Sequence, residues 1–274
     1  MQFSVLLSVY VKEDEHYFDQ ALESITNQTL MPNEILIVED GALTPGLQKV
    51  IEKYQSKYPK IIQTLKLKTN AGLGLALNAG IKACKYDYIA RMDTDDIATP
   101  ERFEKQMAFI SQHPEVDVIG SNITEYDETM KNVLSIREVP QHEDEIYHYL
   151  KHRNPFNHMS VIYKKQAILS NGNYEDCLYF EDYYLWCKLA ASKSSFYNIP
   201  ESLVKVRAGD ALFNRRGGLH YIKHIYTFER KIYKLKVIDL FDFITNVAKR
   251  VSVSIAPNKV RALIYKNILR KIGK

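Results

Sequence analysis

Cysteine is scarce in this chain. Three occur in 274 residues, at Cys84, Cys177 and Cys187. The number is odd and the spacing offers no close metal-binding pair, so neither a disulfide scaffold nor a zinc knuckle fits. Such thiols suit a reducing compartment. Phosphate-cradling glycine loops are missing too. No Gly-x-Gly-x-x-Gly follows the first apolar run, and no Gly-x-x-x-x-Gly-Lys occurs anywhere. That excludes a dinucleotide-binding turn and a P-loop. No uninterrupted apolar stretch approaches the roughly 20 residues of a membrane span. The first strand-like run has no basic leader or cleavage site ahead of it, so no signal peptide is expected. With 46% hydrophobic and 26% charged residues, neither disorder nor a multi-span membrane protein fits.

Acids are scarce in one region. Residues 215–274 hold 15 Lys+Arg against 3 Asp+Glu, whereas residues 1–214 hold 22 against 30. The net charge of +4 therefore conceals −8 in the first part and +12 in the second. The split predicts a boundary near Arg215, with a basic tail suited to membrane lipid or nucleic acid. Nucleic acid is the weaker choice, because nothing in the chain looks like a reading head.

What is present begins as an alternation. Phe3 to Val9 reads as a buried strand, and a helix follows through Phe18, Leu22 and Ile25. Ile35-Leu36-Ile37-Val38 reads as a parallel strand covered on both faces. A helix runs from about Pro45 to Tyr58, a strand from Ile61 to Leu67, a helix from Leu73 to Cys84 and a strand from Tyr88 to Met92. The β-α-β-α-β-α-β order predicts an α/β fold with a sheet flanked by helices. In such sheets ligands bind beyond the carboxyl ends of the strands. Those ends carry Ser8-Val9-Tyr10, Glu39-Asp40, Asn70 and Asp93-Thr94-Asp95.

The acidic run Asp93-Thr94-Asp95-Asp96 is the centre of this arrangement. Carboxylates a few ångströms apart repel one another, and a hard cation such as Mg²⁺ removes that cost. One reading is a metal–diphosphate site at a strand end. The other is a solvated acidic turn before the helix that starts near Pro100. With no glycine cradle, bound phosphates would need the metal.

The segments Ser4 to Tyr10, Ala21 to Thr29, Glu34 to Gly41, Asn70-Ala71-Gly72-Leu73 with Ala76-Leu77-Asn78, and Tyr88 to Asp96 together resemble the catalytic domain of family 2 glycosyltransferases. The likeness runs from Phe3 to about Ser170 and is nearest to bacterial enzymes that build capsule or O-antigen repeat units. It implies a GT-A fold, a mixed Rossmann-like sheet flanked by helices, here with a C-terminal helical basic extension. A catalytic domain over residues 1–214 is implied, with a nucleotide-sugar half to about 125 and an acceptor half over 126–214, followed by the tail at 215–274. It also implies residue roles. Tyr10 is placed against the donor base, Asp40 on uracil and Asp93 on the ribose or diphosphate side. Asp95 matches the ligand of Mn²⁺ or Mg²⁺, with Asp93 beside it. Glu39 stands where the family usually has Asp. Ser8, Asn70 and Thr94 line the donor side. Arg91 is expected to brace the acids, and Asp96 to cap the next helix.

Further along, helices are read over Pro100–Gln112 and Glu143–Lys151, and strands from Asp117 to Thr124, Ser160 to Tyr163, Ser195 to Ile199 and Leu203 to Arg207. His158 offers two readings, an acceptor or diphosphate contact and a structural histidine. Glu181-Asp182 opens an amphipathic helix. Its acids suit a helix N-cap, or a base that takes the proton from an attacking hydroxyl. The resemblance assigns Asp182 that base role, with Glu181 beside it. Trp186 is expected as an acceptor-site wall or as core. Arg207, Arg215 and Arg216 are expected on the leaving diphosphate or on lipid headgroups. The last helix sets Val260, Leu263, Ile264, Ile268 and Ile272 against Lys259, Arg261, Lys266, Arg270 and Lys271, a pattern shared by interfacial helices and by helices packed on a domain.

The resulting expectation is a metal-dependent inverting hexosyltransferase, cytoplasmic and peripheral on the inner membrane face. Its donor would be a UDP-hexose and its acceptor a polyprenyl-diphosphate-linked saccharide, with no nucleic-acid partner. The competing readings are a dTDP-rhamnose-dependent rhamnosyltransferase and a non-catalytic, membrane-docked nucleotide-sugar-binding protein.

Overall fold

A computed structural model describes residues 1–208 and 218–256. Arg215, Arg216 and the final basic helix lie outside the described residues.

The first half builds as its pattern predicts. β1 (Phe3–Val9), β2 (Glu34–Glu39), β3 (Ile62–Lys66) and β4 (Tyr88–Arg91) are joined by α1 (Glu15–Thr26), α2 (Pro45–Lys57) and α3 (Leu73–Ala83). All four strands are parallel, β1 pairing with both β2 and β4 and β2 with β3. Every residue of β2 is buried, which accounts for its continuous apolar run. Local signals set the helix starts. Asp14 accepts from the backbone N–H groups of His16 and Tyr17 to begin α1, and Thr44 with Pro45 begins α2.

The remaining elements are β5 (Ile97–Ala98), α4 (Arg102–Gln112), β6 (Val118–Tyr126), β7 (Val133–Arg137), α5 (Glu143–Leu150), a 3₁₀ turn (His158–Ser160), β8 (Ile162–Lys164), α6 (Lys165–Ser170), α7 (Glu181–Ala191), β9 (Phe196–Arg207), α8 (Gly218–Lys234) and α9 (Leu240–Ile255). One nine-stranded sheet runs β3-β2-β1-β4-β8-β6-β9-β5, with β7 on β6. β8 enters antiparallel to β4 and β6, making the sheet mixed. Helices cover both faces. α1, α2 and α4 pack over one apolar cluster, while α3, α5, α7 and α8 pack over the other.

Three expectations change. The two strands foreseen after Ser195 are one strand, β9. It pairs with β6 in parallel with shifted register, because Pro200 and Glu201 bulge out between the Ser121–Ile199 and Asn122–Ser202 pairs. Proline has no N–H for a ladder, and Asn122 Nδ2 donates to the Pro200 carbonyl at 3.1 Å. Asp96 does not cap α4; its carboxylate is buried and accepts from the Arg207 backbone N–H at 3.1 Å. The charge boundary near Arg215 is not the edge of the core. Tyr221, Ile225, Phe228 and Ile232 of α8 are buried in the same cluster as α7, with Phe228 stacked on Phe180 at 4.5 Å.

Candidate active site

Strand order reverses between β1 and β4, since β2 and β3 lie on one side and β8 and β6 on the other. A crevice forms beyond the carboxyl ends of strands at such a switch point. Tyr10 follows β1 there, half-buried, and the acidic run follows β4.

The end of β4 is fastened from below. Arg102 of α4 is fully buried; its Nη2 donates to the Arg91 carbonyl at 2.7 Å and its Nε to Gln106 Oε1 at 3.1 Å. Arg91, 1% exposed, forms an ion pair with Asp93. The carboxylates of Asp93, Asp95 and Asp96 lie within 4.8 Å of one another. Burial, with the Asp93 charge next, pushes the Asp95 carboxyl up to about 6. Burial followed by Asp95 and Asp93 drives Asp96 well above the carboxylate range. Asp93 is paired with Arg91 and Asp96 with a backbone N–H, whereas the hydrogen bond of Asp95 is to its own backbone. Oxygen donors, unspent negative charge and an upward drift of the carboxyls are what a hard divalent cation would satisfy. These residues fit Mn²⁺ or Mg²⁺, with Asp95 the freest ligand.

One acid of this site was not foreseen. Glu13, in the loop after β1, takes a hydrogen bond from Thr94; burial pushes its carboxyl up to about 7, and Asp95 and Asp93 add to the rise. In the sequence it sits in Lys12-Glu13-Asp14-Glu15, which reads as an ordinary acidic helix start.

Beyond the end of β2, Asp40 is buried and its carboxylate accepts from the backbone N–H groups of Ala71 at 2.6 Å and Gly72 at 3.0 Å. Asn70 Nδ2 donates to the Asp40 carbonyl at 3.3 Å. Gly41 has φ of 86°, and a Cβ there would meet the Asn70 backbone N at 2.8 Å, so glycine permits this close approach. Glu39 accepts from Gln48 at 2.7 Å and lies 3.5 Å from Lys66. Ser8 lies one residue before the last residue of β1.

The second acidic pair opens α7. Asn154 Nδ2 donates to Asp182 Oδ2 at 2.6 Å, and the Tyr183 backbone N–H holds Oδ1 at 2.7 Å. Burial raises the Asp182 carboxyl, while those two bonds and the charges of Arg137 and Arg91 pull it back. Burial pushes Glu181 up to about 7, with the Asp182 charge adding to it. Arg91 thus acts on Asp95 and on Asp182, residues brought together from distant parts of the chain. His158 Nε2 and Tyr174 Oη share a 2.6 Å hydrogen bond; burial and then Arg91 keep the imidazole neutral. Trp186 is fully buried against Phe156, His158 and Tyr163. It is core behind His158, not an exposed wall. Arg207 also belongs to the metal-acid side. Its backbone holds Asp96, and its guanidinium lies 4.0 Å from the Tyr17 ring centre and donates to the Glu128 carbonyl at 2.8 Å and to Gln20.

Residues 4–178 match the family described as Glycosyl transferase family 2. The chain belongs to this family. A glycosyltransferase of amylovoran biosynthesis, AmsE of Erwinia amylovora, is 42% identical over 86% of this chain and 85% of its own. An Escherichia coli UDP-Gal:alpha-D-GlcNAc-diphosphoundecaprenol beta-1,3-galactosyltransferase is 34% identical over 98% and 97%. Among solved structures, S. aureus TarS with UDP-GlcNAc superposes with a TM-score of 0.67 at 19% identity, covering 92% of this chain and 72% of TarS. The Pyrobaculum calidifontis mannosyltransferase PcManGT with GDP-Man and Mn²⁺ gives 0.64 at 13%, covering 98% and 80%. This glycosyltransferase therefore has the GT-A fold.

Proposed function

We propose that this family 2 glycosyltransferase transfers a hexose from a UDP-sugar, galactose or glucose in type, to a lipid-diphosphate-linked saccharide in surface-polysaccharide synthesis, with inversion. The observation that carries this reading is the convergence of two acidic sites around Arg91. One suits a diphosphate and the other an attacking hydroxyl. A divalent cation held by Asp95 and Asp93 would stabilise the departing nucleoside diphosphate. Asp182 accepts the proton of the acceptor hydroxyl as oxygen attacks the anomeric carbon from the face opposite the nucleotide. An α-linked donor would yield a β-linkage. Tyr10, Asp40 and Asn70 are assigned to the nucleoside; the Asp40 oxygens keep lone pairs beyond those used by Ala71 and Gly72. The 34%-identical galactosyltransferase, named for a UDP-Gal donor and a diphosphoundecaprenol acceptor, supports the donor and acceptor classes. A lipid-borne acceptor places the enzyme at the cytoplasmic membrane face.

Two variants test it. In a thermal-shift panel of UDP-, GDP-, dTDP- and CMP-sugars with Mn²⁺, one UDP-sugar should raise Tm, and Asp95→Ala should abolish the metal-dependent part. Asp182→Ala should keep donor binding and lose at least a hundredfold in kcat, the low end of general-base effects. Stabilisation by a dTDP-sugar alone would transfer the reading to rhamnosyl transfer. Full turnover by Asp182→Ala would refute the base assignment.

A further inference from the structure

The helix α9 carries apolar residues on two sides. Its fully buried residues are Asn246 and Ser254, and Phe243 is partly buried against the core. Leu240, Phe241, Ile244 and Ile255 instead face solvent, 58%, 74%, 57% and 69% exposed. At about 100° per residue these four fall within roughly a 100° arc, with Ala248 and Val251 in the same stripe. The polar residues have work on the inner side. Asn246 Nδ2 donates to the Lys151 carbonyl at 2.8 Å, and Arg250 donates to the His152 carbonyl at 2.9 Å and pairs with buried Glu229 at 2.7 Å. Nothing in the packing requires the outer stripe to be apolar. Exposed stripes of this kind mark a docking surface.

Beside the stripe lies an open cavity of about 610 Å³ between α5, α8 and α9, lined by Lys151, Lys234, Lys236, Tyr233, Asp239 and Leu240 among others. The two acids bordering it are engaged. Asp239 and Asp242 cap α9 reciprocally, and Asp242 lies 3.9 Å from His152. The three lysines are exposed, and among the described residues none has a carboxylate partner. Lys236 also holds a left-handed φ of 59° at the end of α8, where glycine would be at ease.

We infer that the 233–255 face, the lysine-lined cavity together with the apolar stripe of α9, docks on an anionic lipid surface, with the cavity receiving phospholipid headgroups. Apolar side chains beside unpaired lysines are what an anionic interface takes up. A second copy would bring lysines against lysines. Residues 257–274 carry six Lys+Arg and no acid, so they do not complement the cavity either. The inference rests on the reading that the acceptor is lipid-borne, and it moves the membrane contact from the last helix to α9. It also gives the contact a mechanical sense. The inner side of α9 holds the carbonyls of Lys151 and His152, and two residues later Asn154 holds Asp182.

The test is co-sedimentation of the full chain with phosphatidylglycerol–phosphatidylcholine vesicles and with pure phosphatidylcholine vesicles. Binding to the anionic vesicles alone is expected. Lys236→Gly should lower that binding about fivefold, since a basic residue near an anionic surface contributes roughly 1 kcal/mol, with Tm unchanged or higher because the backbone there favours glycine. Phe241→Ser with Ile244→Ser should lower binding at least tenfold. Both variants should keep transfer to a short-chain, water-soluble acceptor and lower it on a vesicle-embedded one by about the factor by which their vesicle binding falls. Absence of anionic-vesicle binding, equal binding to neutral vesicles, or unchanged binding by both variants would overturn the inference. So would a dimer in sedimentation velocity that Phe241→Ser disperses. The assay with soluble acceptor keeps the two proposals apart, because transfer without vesicle binding defeats only this one, and vesicle binding without transfer defeats only the proposed activity.

Discussion

Asn154 determines how the Asp182 carboxylate is presented. Its amide fixes Oδ2 while the Tyr183 N–H fixes Oδ1, which leaves the outer lone pairs for a substrate hydroxyl. A donor on a carboxylate favours the ionised form. Removing it raises the Asp182 pKa, so the acidic limb of the kcat profile moves to higher pH in Asn154→Ala. Hydrogen bonds to charged groups contribute about 1.5–3 kcal/mol, so kcat on the acidic side should fall roughly tenfold or more and recover as pH rises. A pH-independent loss would mean that Asn154 acts only through packing. Glu181 makes a separate prediction about stability. Its carboxyl is raised from 4.5 to about 7 in the folded protein. Between those values the native state binds more protons than the unfolded chain, so stability falls as pH rises through the window. A rise of that size corresponds to roughly 3 kcal/mol. Glu181→Gln should flatten this slope and unfold at higher temperature than wild type at pH 8. Equal melting curves at pH 5 and pH 8 for both proteins would contradict it.

At the scale of elements, α8 and α9 act as a clamp on α7, the helix that carries Asp182. Phe228 lies between Phe180 and Tyr183, with ring centres at 4.5 and 4.7 Å. Glu229, fully buried, depends on Arg250 and Asn246 for its partners. Removing one member of such a pair leaves a buried charge uncompensated, at about 3–5 kcal/mol. Arg250→Met should therefore lower thermal stability markedly, and the double variant Arg250→Met with Glu229→Leu should recover much of it. Equal stability of the single and double variants would show that the pair is not coupled. This clamp also marks what was legible beforehand. The strands and helices through Asp96 follow from their hydrophobic period, because each element there is amphipathic or wholly buried for a local reason. The acidic cluster stood out as carboxylates crowded at a strand end, and Asp182 through the family resemblance. Two features were not legible. Glu13 joins the cluster through the loop after β1. The charge split near Arg215 obscured the burial of α8. Each depends on which distant surface a residue meets, and a charge count or a helical period contains no information about that.

The molecule as a whole is joined by its sheet. The parallel strands β1 to β4 and the later strands β6, β8 and β9 belong to one hydrogen-bonded sheet, and β9 returns to pair with β5 and to hold Asp96 through Arg207. The acids Asp93, Asp95 and Asp96 therefore sit where the two sets of strands are sewn together. An aqueous boundary between the halves would have to break the β4–β8 ladder and expose apolar faces on both sides. Such a structure should unfold in one step. The single tryptophan provides a probe away from β1 to β4, since Trp186 is fully buried on α7. Its fluorescence and far-UV circular dichroism should give coincident thermal transitions. UDP with Mn²⁺ should shift both by the same amount, because a ligand of the native state stabilises everything that unfolds with its site. Asp95→Ala should abolish the metal-dependent part of that shift in both signals. If the fluorescence transition stayed in place while the circular dichroism moved, the halves would unfold independently and the ligand would stabilise the nucleotide side alone. Coincidence would instead mean that ligand binding stabilises the helix carrying Asp182 as much as the β4–β5 turn carrying Asp95.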